Sequence, residues 1–316
     1  MAALILTSCS GAVPGPVATE RTASVRTGVV AEPQVLEQLP YAAVSPSQVL
    51  QLSQPDRTGE AVPAVVLVHG GGFYEGSKGD VQFLVEALNA RGYATAAIDY
   101  RLSGEALFPA AVQDVTSAIR WVRANAAVHG IDPDRIAVWG LSAGGNLAAM
   151  AAVTADRGTL TDPDDGPRGS GDPPVTGAVQ AVVAWYAPMD FGTMDAQGVD
   201  PGGCPDRPGL HDPADSVESR YLGAALPASP ELVRASAPAT YLDGVESLPP
   251  FFLAHGDRDC TVPFAQTLDF ADAVRAAGGD VRVDIVAGAG HAAPEIDGTL
   301  VEPSIDFLDE VLNVGS

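Results

Sequence analysis

Apolar positions along this chain follow two rhythms in turn: short unbroken runs, then longer stretches with helical spacing. Ala64-Val-Val-Leu-Val-His69 is a β-branched run with no polar interruption, the pattern of a strand buried on both faces. Residues 81–91 then carry Phe83, Leu84, Val85 and Leu88 at helical spacing and stop at Gly92. The rhythm repeats with a strand over 94–99 and a helix over 108–127. That helix has Pro109 in its first turn and Val112, Val115, Ile119 and Val122 on one face. A strand over 135–139 leads into an alanine-rich helix over 142–153. Residues 179–185 and 251–255 read as further buried strands, 264–277 as a helix ended by Gly278-Gly279, 281–286 as a strand and 303–314 as a closing helix. Residues 28–60, broken by Pro and Gly, predict a strand or hairpin on a sheet edge.

Strands and helices in this order predict an α/β fold: a mainly parallel, doubly wound sheet with helices on both faces. Ligands of such sheets bind beyond the carboxyl ends of the strands. Two stretches break the rhythm. Residues 156–177 form a Pro/Gly/Asp loop. Residues 189–249 make a long insertion holding Gly202-Gly203-Cys204-Pro205, predicted to be a partial lid or substrate wall.

Composition narrows the picture. At 316 residues and 46% hydrophobic, the chain can bury one large core, and its regular alternation favours a single domain over 28–316. A formal charge of −23 argues against a nucleic-acid partner and against adsorption to an anionic membrane, because both need clustered Lys and Arg. Residues 1–27 read differently. A short apolar start ends in Leu6-Thr7-Ser8-Cys9, similar to the lipobox of bacterial lipoproteins, and a Gly/Pro/Ala/Thr tether follows, although no basic n-region precedes it. The expectation is an exported chain, secreted or at the cell surface, touching membrane only through a lipid on Cys9. With Cys9 so used, Cys204 and Cys260 remain, and a disulfide between them, suited to an oxidising compartment, is favoured over two unrelated buried thiols.

The chemistry-bearing residues sit where strands end. Gly140-Leu141-Ser142-Ala143-Gly144 is a G-x-S-x-G pentapeptide between strand and helix, the context in which a serine hydroxyl is thrust out of a sharp turn. His69-Gly70-Gly71-Gly72-Phe73 follows the first buried strand. A glycine run is more often only a turn, but upstream of such a serine its amides, from Gly71 and Gly72 with that of Ala143, suit an oxyanion hole. In His255-Gly256-Asp257-Arg258-Asp259 two carboxylates compete for the acid role. Asp259 is favoured because it lies further out, with Asp257 assigned to an Asx turn in its own loop. His291 is the one histidine that follows in Ser, Asp, His order; His69 and His255 read as loop braces, and His129 and His211 as structural. Phe73, Tyr74, Trp185 and Val262 are candidate pocket walls, each as readily plain core.

Together these motifs resemble bacterial α/β-hydrolases of the acetyl-esterase and feruloyl-esterase-like group over about residues 40–315. Asp99-Tyr100-Arg101-Leu102, Asp114 ahead of Arg120-Trp121-Val122, and Gly140 to Gly145 carry the similarity. The group's H-G-x-x-D-x-x-V-P loop matches His255, Gly256, Asp259, Val262 and Pro263, which implies Asp259 as the acid. Hormone-sensitive-lipase-like esterases share the glycine run but usually carry Asp where this chain has Leu141. The resemblance implies a serine ester hydrolase acting on short-chain or feruloyl-type esters, small or polymer-borne, without metal or organic cofactor. A peptidase or amidase of the same fold is the rival within enzymes, and a catalytically silent surface-binding protein the rival outside them.

Overall fold

Unbroken β-branched and alanine-rich runs give the central strands no polar face, and those strands occupy the middle of an eight-stranded sheet. The computed structural model describes residues 34–56, 59–160, 175–198, 210–245 and 247–314. Along the chain the elements are β1 (Gln34–Pro40), β2 (Val49–Gln54), β3 (Val62–Val68), α1 (Gln82–Arg91), β4 (Ala94–Ile98), α2 (Ala110–Ala124), β5 (Ile131–Leu141), α3 (Ala143–Thr154) and β6 (Ala181–Trp185). There follow three short helices, α4 (Met194–Gln197), α5 (Val217–Leu222) and α6 (Pro230–Ala235), and then β7 (Phe251–Gly256), α7 (Ala265–Ala276), β8 (Val281–Val286) and α8 (Pro294–Leu312). The strand order is β1-β2-β4-β3-β5-β6-β7-β8. The β1–β2 hairpin is antiparallel and pairs antiparallel to β4; every pairing from β4 across to β8 is parallel.

Alternation along each strand splits the core in two. Val66, Val68, Val138 and Val182 face α2, α3 and α7, meeting Val115, Ile119, Leu147 and Phe270. Val65, Leu67, Trp139 and Val183 face the other way, against Leu84 and Leu88 of α1 and Ile296, Ile305 and Leu308 of α8. The doubly wound arrangement predicted from the rhythm is therefore present, and the insertion supplies α4, α5 and α6 between β6 and β7. The described residues form one compact unit. The leader and tether at 1–27, Cys9, and most of the 156–177 loop lie outside the described residues. So does Cys204, and with it the Cys204–Cys260 pairing.

Boundaries shift at several elements, most informatively at three. The helix expected over 108–127 ends at Ala124, because Asn125 folds both its backbone N–H and its side-chain amide back onto the Trp121 carbonyl, at 3.0 and 2.8 Å. β5 is longer than 135–139, since Ile131 pairs with Val62 across a register shift. The closing helix does not begin at Pro303. It starts at Pro294 and holds Pro303 in its interior. The stripe of Ile296, Leu300, Ile305 and Leu308 packed on the sheet outweighs the roughly 3 kcal/mol that an interior proline costs.

One buried ion pair joins the edge hairpin to the layer above it. Asp114 of α2 is wholly buried; its carboxylate accepts from Arg101 Nη2 at 2.7 Å, Arg101 Nε at 3.0 Å, the Arg101 amide at 2.8 Å and Gln48 Nε2 at 2.6 Å. Removing one partner strands a charge in the core. Arg101→Met is expected to lower unfolding free energy by about 3–5 kcal/mol in urea titrations, and Arg101→Met/Asp114→Leu to recover part of that loss.

Candidate active site

Ser142 stands at the turn between β5 and α3 with φ 52° and ψ −121°, a left-handed conformation that non-glycine residues adopt only under constraint. The pattern reading took it as the first residue of the helix; it is the residue before it. Two missing side chains permit the turn. A Cβ on Gly140 would lie 2.0 Å from the Gly144 carbonyl oxygen, and a Cβ on Gly144 would lie 2.3 Å from the oxygens of both Val68 and His69. The helix is thereby seated against the end of β3, and the Ser142 amide is tied to the Trp185 carbonyl at 2.9 Å.

The glycine run leaves the end of that same strand and is held from behind. The His69 ring stacks on Tyr100 at 4.3 Å, its Nδ1 lies 2.7 Å from the Gly70 carbonyl, and the Tyr100 hydroxyl donates to the His69 carbonyl at 3.1 Å. Further along, Lys78 pairs with Asp99 at the end of β4, and the Phe73 carbonyl accepts from the Ser103 amide at 2.7 Å. Gly71 and Gly72 both have positive φ, 99° and 55°. A Cβ on Gly70 would stand 3.2 Å from that of Ser142, so the run passes directly beside the serine.

Asp259 and His291 arrive from the neighbouring strand ends. His291 Nε2 is 2.9 Å from Ser142 Oγ, and His291 Nδ1 is 2.6 Å from Asp259 Oδ2. A carboxylate can only accept, so Nδ1 carries the proton and Nε2 offers its lone pair to the serine hydroxyl. Asp259 is saturated: Oδ1 accepts from the amides of Thr261 and Val262, each at 2.8 Å, and Oδ2 also accepts from His255 Nε2 at 3.0 Å. Burial works to raise this carboxyl, but the bonds from His255 and His291 outweigh it and hold it down at about 2. The His291 ring is braced edge-on by Tyr186 at 4.9 Å.

The two aspartates divide their work differently from the expectation. Asp259, two residues further along the loop, is buried, and it makes the turn-type bonds to the following amides itself. Asp257 accepts from the Gly288 amide at 2.6 Å, across to the loop after β8 that carries His291. His255, read as a loop brace, does touch the Val262 carbonyl at 2.9 Å and Thr267 Oγ1 at 2.8 Å, but its bond to the candidate acid was missed. The i, i+4 spacing of His255 and Asp259 across a turn was the available signal.

Above these residues opens a cleft of about 900 Å³. Phe73, Tyr74 and Val262 border it, together with Gly71, Gly72 and Ala143. Tyr74 is exposed, whereas Phe73 is buried and stacked on Tyr221 at 4.0 Å. Trp185 does not belong to the pocket. It ends β6 on the opposite face of the sheet, packs edge-on against Trp139 at 5.1 Å and donates from Nε1 to Ser304 Oγ at 3.0 Å. Among the described residues no group of three or more His, Cys, Asp or Glu is arranged to hold a metal ion.

The BD-FAE family model matches residues 50–274. The chain belongs to the BD-FAE family. It is also similar to esterase LipC of Mycobacterium tuberculosis, 31% identical over 274 residues that span 85% of this chain and 62% of that protein. Esterase LipQ of the same organism is 31% identical over 249 residues, 76% of this chain and 52% of that one. The chain thus spans only about half to two thirds of the length of these curated relatives. Among solved structures it resembles a truncated carbohydrate esterase from gut microbiota, with TM-score 0.73, 29% identity and coverage of 89% of this chain and 96% of that chain. It resembles Thermogutta terrifontis esterase 2 phosphonylated by sarin with TM-score 0.69 and 26% identity, covering 89% and 96%. The fold is that of the α/β-hydrolase esterases, as the resemblance in the motifs implied.

In this BD-FAE chain the depressed Asp259 value has a consequence for stability. An acid whose folded value lies below its ordinary 3.8 stabilises the fold fully above that value, and the contribution fades as pH falls through about 2. The stability difference between wild type and Asp259→Asn, read by urea unfolding, is expected to shrink by about 2 kcal/mol between about pH 5 and about pH 2.

Proposed function

We propose that the protein is a carboxylic ester hydrolase working through Ser142, His291 and Asp259 and a covalent acyl-enzyme, on esters with short acyl or feruloyl-type groups. The observation that carries this reading is the unbroken pair of hydrogen bonds from serine to imidazole to carboxylate, at 2.9 and 2.6 Å, at the foot of the cleft and beside the glycine run. The esterases to which the chain is similar support the same class of reaction.

In this mechanism His291 Nε2 takes the Ser142 proton while Oγ bonds to the ester carbonyl carbon. The carbonyl oxygen gains charge, and the amides of Gly71, Gly72 and Ala143 are the donors assigned to it, each worth roughly 3–4 kcal/mol in such a hole. Ala143 opens a twelve-residue helix, whose positive end reinforces that charge stabilisation. The imidazolium then gives its proton to the departing alkoxide. In the second half His291 removes a proton from water, the hydroxide attacks the acyl carbon, and Ser142 Oγ leaves with the proton restored. Asp259 stays ionised throughout and stabilises the imidazolium. His255 and the amides of Thr261 and Val262 keep its Oδ2 aimed at His291 Nδ1.

Turnover of p-nitrophenyl acetate tests the reading, together with mass spectrometry for a phosphonate adduct on Ser142. Ser142→Ala and His291→Ala are expected to lose about 10⁴-fold or more in kcat, and Asp259→Asn roughly 10³–10⁴-fold. Asp257→Asn, which loosens only the β8 loop, is expected to keep activity within about tenfold of wild type. A larger loss at Asp257 than at Asp259 overturns the acid assignment, and a Ser142→Ala variant as active as wild type overturns the mechanism.

A further inference from the structure

One wall of the cleft is built by α5 and the turn before it. That wall abuts the glycine run, since a Cβ on Gly72 would come within 3.6 Å of the Val217 Cβ. It contains a second histidine–carboxylate pair. His211 Nδ1 is 2.9 Å from Glu218 Oε1, with the two side chains only 11% and 5% exposed. The backbone around His211 is fixed as well: Asp195 of α4 accepts from the amides of His211 and Asp212, at 2.8 and 3.1 Å. Neither residue takes part in the mechanism above.

This pair is costly to the fold. Glu218 is a buried carboxylate, and its Oε2 has no hydrogen-bond partner among the described residues. A buried charge so poorly satisfied destabilises the molecule relative to an apolar side chain of similar size. What the pair supplies is orientation. With Nδ1 donating to Glu218, the neutral ring presents Nε2 as an acceptor, and that ring borders the cleft. The charged side chains of the lining are mostly acidic. Glu75, Asp80, Asp215 and Asp297 also border the cleft, while Arg220, the cationic side chain of the described lining, lies over the Tyr74 ring at 5.2 Å. Such a surface receives hydrogen-bond donors and repels anions.

We propose that His211, held by Glu218, is a specificity-determining contact that accepts a hydrogen bond from a free hydroxyl on the uncharged part of the ester lying along α5. The inference rests on the esterase reading and goes further, in naming which esters the cleft selects. A site built around an acceptor discriminates against the analogue that lacks the donor, because the acceptor is then buried unpaired.

The test compares kcat/KM for esters matched except for a hydroxyl: 3-hydroxypropyl acetate against propyl acetate for the alcohol side, and methyl coumarate against methyl cinnamate for the acyl side. Wild type is expected to favour the hydroxylated member of at least one pair by about tenfold or more. In His211→Phe that ratio falls to within about twofold of unity, whereas a merely structural role lowers both members together and leaves the ratio intact. The apolar pair His211→Phe/Glu218→Leu, which buries no unpaired carboxylate, reads the same ratio if the single variant fails to fold. Monoethyl succinate is expected to turn over more slowly than ethyl butyrate, and equal rates overturn the exclusion of anions. Wild type that hydrolyses both members of each pair equally, or a preference that survives in the variants, overturns the role of His211 and leaves the esterase reading standing. No turnover of any ester and no phosphonate adduct on Ser142 overturn both.

Discussion

The whole site depends on how closely α3 can approach the carboxyl end of β3. Gly144 lies against the carbonyl oxygens of Val68 and His69, and Gly140 against the carbonyl of Gly144, at separations no side chain tolerates. That contact forces the sharp reversal in which Ser142 takes φ 52°, and it places the start of a helix beside the glycine run that leaves β3. Serine, helix end and glycine amides are therefore one mechanical unit. A methyl group at either glycine separates them before any catalytic side chain is touched.

Around that unit the electrostatics are arranged by saturation. Asp259 is buried in a strongly acidic protein, yet two ring nitrogens and two amides satisfy both of its oxygens and keep it ionised. Its rigidity is inherited by His291, whose tautomer follows from having an acceptor on one side only. Glu218 repeats the device in a less complete form, with one oxygen on His211 and the other without a partner. The contrast is between a carboxylate with both oxygens satisfied and one with a single oxygen engaged.

Much of this was legible in the residues. The alternation of unbroken and helically spaced apolar runs implied the doubly wound sheet, because strands covered on both faces leave no place for polar side chains. G-x-S-x-G between strand and helix, and a histidine after an acid loop, marked the residues that the fold brings to one rim. For Trp185 the choice between pocket wall and core stayed open because a run buried on both faces does not say which side of the sheet each residue occupies; alternation along β6 turns it toward Trp139 and Ser304. Pro303 was misjudged because a local rule against proline in helices carries no knowledge of the apolar stripe that outweighs it.

What the sequence by itself determined was the local and repetitive part: element types, their order, and the small residues without which the serine turn cannot form. Those properties follow from neighbours within a few positions. Tertiary structure alone decided which groups meet across the chain. It made Asp257 a tie to Gly288, set His291 between Asp259 and Ser142, and drew His211 and Glu218 from an irregular insertion to the wall of the cleft. Contacts of that kind are set by the packing of whole layers, and no periodicity along the chain encodes them.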